Sequence, residues 1–239
     1  MAKLYVVGIG PGGKEHLTIK AIETIRQCSV IVGYTYYIEL VRDLIEDQKI
    51  IQTGMTKEIE RCRAAISEVQ TGNDTCIIST GDPGLYGMAG PIMEMIEDVD
   101  VDIVPGVSSV FSAAAEMGSP LMHDFCTISL SDLLTPWSVI EKRLEHAAKG
   151  DFVISLYNPK SRGRKEHINR AVDILSQEID PKTPVALVKN AGRDGNEKKL
   201  LTLGTIDFEF VDMKTVVIIG NSQTYTRDGW MITPRGYKI

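Results

Sequence analysis

Along this chain, apolar runs rich in β-branched residues alternate with longer stretches in which apolar and polar positions recur at helical spacing. Residues 4–9, 30–32, 75–79 and 101–104 read as strands, and residues 16–27, 36–46, 57–71 and 88–97 as the helices between them. Such alternation predicts an α/β fold with mostly parallel sheets and helices on both faces. After Gly118-Ser119-Pro120 the pattern restarts: residues 126–130, 152–157, 184–188 and 216–219 read as strands, and 137–148 and 163–177 as helices. Residues 200–203 and 208–211 have no helix between them, which predicts an antiparallel addition. Two α/β domains, 1–118 and 119–239, are therefore expected, with the boundary at residues 118–121.

Composition narrows the classes. With 239 residues, the chain is long enough for two domains that each bury a core. No apolar run approaches the roughly 20 residues of a membrane span, and Met1-Ala2-Lys3 leads directly into a strand-like run, so a cytoplasmic protein with no membrane partner is expected. A net charge of −6 argues against nucleic acid as a partner. Cys28, Cys62, Cys76 and Cys126 are widely spaced, without a C-x-x-C or a nearby histidine pair. They read as reduced thiols, and no protein metal site is expected.

The candidate chemistry lies in loops that follow strands. Gly8, Gly10 and Gly13 satisfy G-x-G-x-x-G, yet the next strand ends in Gly33-Tyr34-Thr35 without the carboxylate that would hold a ribose. The same loop nearly satisfies a P-loop, but Glu15 stands where the Mg²⁺-binding hydroxyl belongs. Thr80-Gly81-Asp82-Pro83-Gly84-Leu85-Tyr86-Gly87 follows the third strand, and glycine and proline there allow backbone groups to approach a small ligand closely. Pro105-Gly106-Val107-Ser108-Ser109 follows the fourth, with serines able to cap the next helix. In the second half, Tyr157-Asn158-Pro159 and Lys189-Asn190-Ala191-Gly192-Arg193 also end strands.

Taken in order, G-x-G-P-G, [ST]-G-D-P-x-x-Y-G and P-G-x-[ST]-[SA] resemble the tetrapyrrole methylases, the class III S-adenosylmethionine-dependent methyltransferases. Further segments resemble the C17-methyltransferases of cobalamin biosynthesis that also contract the ring, and most of all their cobalt-early, anaerobic form. These are Thr53-Gly54-Met55-Thr56-Lys57, Pro120-Leu121-Met122-His123-Asp124, Ser129-Leu130-Ser131-Asp132-Leu133-Leu134, and Asn158-Pro159-Lys160-Ser161-Arg162-Gly163-Arg164.

The resemblance implies a cofactor, S-adenosylmethionine, held in a cleft between the two domains, and a homodimer. Thr80, Gly81 and Asp82 would line its methionine end, Ser108 and Ser109 its carboxylate or ribose, and Tyr157, Asn158, Asn190 and Ala191 its adenosine. The family often has methionine where Asn158 stands. Gly10 and Pro11 would form the floor of the substrate cleft, Pro11 also touching the cofactor. The implied substrate is an anionic corrinoid precursor that carries its own cobalt, and Arg162 and Arg164, with Arg193 and Lys57, are candidates for its carboxylates. His123 and Asp124 are the candidate acid–base pair, whereas His16, His146 and His167 read as surface residues. A sibling methyltransferase with another acceptor, the oxygen-dependent C17 enzyme and a non-catalytic tetrapyrrole carrier are the alternatives.

Overall fold

The structure is a computed structural model that describes residues 2–238. The chain divides into two compact units, Met1–Ser109 and Val110–Ile239. The restart expected at 118–121 lies one helix into the second unit.

In the first unit the elements are β1 (Lys3–Gly8), α1 (Ile19–Gln27), β2 (Val30–Tyr34), α2 (Thr35–Leu40), β3 (Lys49–Thr53), α3 (Glu58–Gln70), β4 (Thr75–Ser79), α4 (Ala89–Met95) and β5 (Asp100–Val104). The five strands form one all-parallel sheet in the order β3-β2-β4-β1-β5. Period-two alternation assigns side chains to its faces. Val7, Ile31, Cys76 and Ile78 pack with Ala21 and Ile25 of α1 and Ile38 of α2. Val6, Val32 and Ile77 pack on the other face with Cys62, Ala65 and Val69 of α3 and Ile92 of α4. Every residue of β4 is buried, as expected of a central parallel strand covered on both faces.

Several boundaries differ from those expected, each for a local reason. α1 begins at Ile19 because the Thr18 hydroxyl accepts the Ala21 N–H at 3.1 Å, while Lys14–His16 forms a separate 3-10 turn. The helix expected over 36–46 stops at Leu40, where Val41 leaves helical geometry at φ −121° and ψ 16°. β3 was not expected. It is an edge strand in which Ile50 and Ile51 stand between polar neighbours, so it lacks a buried strand's apolar run.

The second unit contains α5 (Ser109–Met117), whose first residue closes the first unit, and β6 (Gly118–Ser119). There follow β7 (Phe125–Ser129), α6 (Trp137–Lys149), β8 (Val153–Tyr157), α7 (His167–Leu175), β9 (Pro184–Lys189), β10 (Glu197–Thr202), β11 (Thr215–Ile219), β12 (Tyr225–Arg227) and β13 (Trp230–Ile232). Its main sheet has the order β10-β9-β11-β8-β7. β7, β8 and β9 run one way, while β11 and β10 run antiparallel to their neighbours. α6 and α7 bury Ile140, Leu144, Ile168 and Leu175 on one face. Ala113, Ala114 and Met117 of α5, with Met231 of β13, cover the other.

The antiparallel addition expected from residues 200–203 is β10. Residues 208–211 form a turn instead of a strand, because Asp207 Oδ1 accepts the N–H groups of both Glu209 and Phe210 at 3.1 Å. Phe210 and Val211 still join the core, which explains their apolar character. A third, small sheet, β12-β13-β6, is closed by the Asp228-Gly229 turn with φ of 50° and 81°. Among the described residues no helix is long and apolar enough to cross a membrane. None of the four cysteines forms a disulfide, and burial pushes the Cys62 and Cys126 thiols up to about 11.

Gly106 leaves no room for a side chain: a Cβ would stand 2.2 Å from the Gly81 carbonyl oxygen and 2.8 Å from the Gly8 carbonyl carbon. Gly106→Ala should destabilise the protein by about 1–3 kcal/mol, read from thermal or denaturant unfolding. Gly90→Ala, with nothing within 4 Å in α4, should be neutral or stabilising.

Candidate functional site

In the first unit, β4, β1 and β5 are adjacent, so their carboxyl ends bring the loops after Gly8, Ser79 and Val104 together. The chain leaves β1 toward β2 and leaves β4 toward β5, on opposite sides. That reversal is the switch point at which open parallel sheets bind ligands. The loops join through main chain. Gly10 and Gly81 exchange two hydrogen bonds, Gly81 N–H to Gly10 O at 2.7 Å and Gly10 N–H to Gly81 O at 3.2 Å, and Ile9 N–H donates to Ser79 O at 2.9 Å. Both glycines are left-handed, with φ of 68° and 65°, a conformation that costs a side chain roughly 1–2 kcal/mol. At Gly8, a Cβ would stand 2.6 Å from Gly106 N and 2.7 Å from Pro83 Cδ.

Asp82 ties the second loop to the third. Its Oδ1 accepts the Gly84 N–H at 2.8 Å and its Oδ2 the Gly106 N–H at 3.1 Å. The carboxylate therefore has a structural duty that the sequence does not disclose, whatever it also offers a ligand. Beside it, a Cβ on Gly81 would meet only Ser108 Cα and Ser109 N, both at 3.8 Å. The Gly81 face thus opens on a cradle of main-chain atoms at the buried Ser108. Gly10, Pro11, Thr80, Gly81, Asp82, Ser108 and Ser109 all belong to this edge. Lys57 does not: it follows the edge strand β3 and pairs with Glu60 at 2.5 Å. Lys14, the lysine of the near-P-loop pattern, pairs with Asp43.

The second unit gathers its candidates at the carboxyl ends of β7, β8 and β9. Asn158 and Asn190 end β8 and β9 in the same left-handed conformation, each with φ 53°. Asn158 Nδ2 donates to Ser129 Oγ at 3.0 Å, and the Tyr157 hydroxyl accepts the Val110 N–H at 3.0 Å. Asn190 Nδ2 donates to Gly195 O at 3.1 Å, and Asn190 O accepts the Arg193 N–H at 2.9 Å. These contacts fix how the strand ends present Tyr157, Asn158, Asn190 and the buried Ala191.

The basic loop divides by role. Lys160 donates to Phe208 O at 2.9 Å, and Arg164 donates to Ser131 Oγ while its Nε is buried without a partner. Arg162 is exposed. The helix expected from Gly163 starts at His167, leaving this segment a turn closed by Ser161 and Arg164.

His167 corrects the expectation of a surface residue. Its side chain is 13% exposed, and Nε2 stands 3.0 Å from Asp132 Oδ2, off the line of a well-formed hydrogen bond. The ring meets Trp137 edge-on at 4.7 Å. The contact with His167, foremost, holds the Asp132 carboxyl below the usual carboxylate range. His123 and Asp124 precede β7 and so lie at the opposite end of the sheet from Ser129, Tyr157 and Asn190. There His123 Nδ1 accepts the Asp124 N–H at 2.9 Å. Among the described residues no three His, Cys, Asp or Glu side chains form a metal-binding group.

The chain is similar to known proteins along most of its length. The family model described as Tetrapyrrole (Corrin/Porphyrin) Methylases matches residues 3–207. A relative from Salmonella typhimurium strain LT2, named probable cobalt-factor III C(17)-methyltransferase, is 52% identical over 240 residues, covering 99% of this chain and 100% of the relative. A Sinorhizobium protein named precorrin-3B C(17)-methyltransferase is 37% identical, covering 98% of this chain and 96% of its own length. The crystal structure of the methyltransferase CobJ superposes with a TM-score of 0.94 at 32% identity, over 98% of this chain and 100% of that one. A uroporphyrin-III C-methyltransferase from Thermus thermophilus, complexed with S-adenyl homocysteine, shares the fold, with a TM-score of 0.71 at 23% identity over 92% of each chain. The three glycine loops of the first sheet and the asparagine ends of the second all fall inside the matched span, and the chain belongs to the tetrapyrrole (corrin/porphyrin) methylases.

Proposed function

We propose that this chain is an S-adenosylmethionine-dependent methyltransferase that methylates C17 of cobalt-factor III and contracts the ring, in the anaerobic route of cobalamin biosynthesis. The observation that carries the reading is the end-to-end likeness to the relative named for cobalt-factor III, 52% identical against 37% for the precorrin-3B one. When bound, the cofactor supplies an electrophilic methyl group on a sulfonium. A cradle of main-chain atoms suits it, since a sulfonium is drawn to carbonyl oxygens and needs no anionic side chain.

In this reading Thr80, Gly81, Asp82, Ser108 and Ser109 hold the methionine and ribose portions, and Pro11 borders them. Tyr157, Asn158, Asn190 and Ala191 hold the adenosine. Gly10 and Pro11 floor the macrocycle's place, with Arg162, Arg164 and Arg193 for its carboxylates and Lys57 the most remote candidate. An electron-rich ring carbon needs little base assistance, so these residues act by orienting the reactants and excluding water, a contribution of up to about 7–11 kcal/mol. Cobalt would arrive inside the substrate, and a cytoplasmic homodimer completes the reading. His123 and Asp124, the acid–base pair expected from the sequence, precede β7 and so stand at the other end of its sheet from Tyr157 and Asn190, which counts against their moving a proton there.

Anaerobic incubation with S-adenosylmethionine and either cobalt-factor III or metal-free precorrin-3B tests the reading by mass and absorption spectra. A one-methyl gain with a ring-contracted spectrum is expected from the cobalt compound. Gain only from the metal-free one would assign the oxygen-dependent reaction instead. Asp82→Ala leaves the Gly84 and Gly106 amides without acceptors, so it should cost about 1–3 kcal/mol of stability. It should also weaken S-adenosylhomocysteine binding in calorimetry, and unchanged affinity in the folded variant would remove Asp82 from the site. Arg162→Glu should raise the macrocycle KM about tenfold with the melting temperature and cofactor affinity unchanged. Equal loss of both ligands would count against a substrate role.

A further inference from the structure

The loop between β9 and β10 carries Asn190 and Ala191, and its shape is unusual. Asn190, Gly192 and Gly195 are all left-handed, with φ of 53°, 68° and 71°. Bonds from Asn190 to Gly195 and Arg193 hold it from within, and a group from outside the loop adds to them. Glu116, half-buried in the last turn of α5, reaches across to it. Its Oε1 accepts the Gly192 N–H at 3.1 Å, and Asn196 Nδ2 lies 2.8 and 2.7 Å from its two oxygens. The Glu116 carbonyl accepts Lys198 Nζ at 2.7 Å, which secures the start of β10 to the same helix end. At the helix's other end, the Val110 N–H donates to the Tyr157 hydroxyl at 3.0 Å. One helix therefore braces both segments of the second unit to which the adenosine was assigned.

We propose that Glu116 is a positioning residue for the cofactor, holding the 190–196 loop in its binding-competent shape. The inference rests on the reading that Asn190 and Ala191 contact S-adenosylmethionine. Its physical basis is preorganisation. A loop that is competent only part of the time binds more weakly in proportion to that fraction. Releasing the tether should therefore raise the dissociation constant and the cofactor KM while leaving turnover at saturation nearly unchanged. Glutamine at this position keeps one oxygen acceptor for Gly192 and Asn196, and loses the charge and the second acceptor oxygen. Alanine removes the acceptors. The carbonyl contact with Lys198 survives both changes, so the two variants isolate the carboxylate.

The experiment uses the full chain and S-adenosylhomocysteine as the probe in titration calorimetry, with KM and kcat for S-adenosylmethionine and thermal melting alongside. Glu116→Ala should raise the dissociation constant and KM about tenfold, the size expected for losing charge-assisted bonds, with kcat nearly unchanged. Glu116→Gln, which keeps one acceptor, should lose less affinity than Glu116→Ala. Asn196→Ala, which cuts the tether from the loop side, should shift affinity in the same direction as Glu116→Ala. Unchanged affinity in a folded Glu116→Ala would overturn the proposal. Equal losses in the alanine and glutamine variants, tracking a fall in melting temperature, would also overturn it in favour of a merely structural contact. If Glu116→Ala does not fold, Asn196→Ala decides: weakened binding supports the tether and unchanged binding overturns it. A folded wild-type protein that bound no probe would sink the cofactor reading and this inference with it. Wild-type binding matched by every variant would sink the inference alone.

Discussion

The exchange of two main-chain hydrogen bonds between Gly10 and Gly81 is the constraint on which the first unit's site depends. It draws the ends of β1 and β4 so close that neighbouring positions have no room for a Cβ. A side-chain atom at Gly8 or Gly106 would fall within 3 Å of main chain. Because the backbone comes this near, the Asp82 carboxylate reaches the Gly106 amide, and the loops after β4 and β5 become one surface. A floor of amides and carbonyls is chemically neutral, fixed in position and needs no reorganisation when a polar cationic ligand arrives. It suits a protein whose overall charge is −6 and whose implied substrate is also an anion.

The second unit reaches a similar end with other means. Its strands turn through asparagines, which tolerate the left-handed conformation and whose amides then anchor the turn locally, Asn158 on Ser129 and Asn190 on Gly195. Where the glycine floor is held by main-chain bonds and the single Asp82 carboxylate, the asparagine edge is held by the asparagine side chains themselves. Its geometry depends on Ser129 and, through Glu116 and the Val110 N–H, on α5.

What was legible in the sequence follows from the range of the interactions involved. Gly81-Asp82-Pro83 was readable because glycine and proline report backbone geometry at their own positions, and the buried strand β4 was readable because both its faces are apolar. β3 was not, since an edge strand shows only Ile50 and Ile51. Residues 208–211 were misread because an apolar run does not reveal whether a turn delivers it to the core, which here depends on the Asp207 side chain. The pairings Asp82–Gly106, Asp132–His167 and Glu116–Asn196 join residues far apart in the chain. No local pattern announces such pairs, so His167 looked like a solvent-facing helix residue and Glu116 did not stand out at all. The family motifs named the loops that matter but not the side chains that hold them.

The topology of the first sheet has a kinetic corollary. Of the strands in this sheet β1 is synthesised before the others, yet it lies between β4 and β5, pairing Leu4 with Thr75 and Val101. Its hydrogen-bonding edges stay unsatisfied until most of the unit has been synthesised, whereas β9 and β10 are joined by a short loop and can pair as soon as both exist. Long-range parallel pairing is slow and leaves apolar strands exposed meanwhile. The glycine floor is consequently among the last parts of the first unit to assemble, so the loops that define the site form only once the strands beneath them have closed.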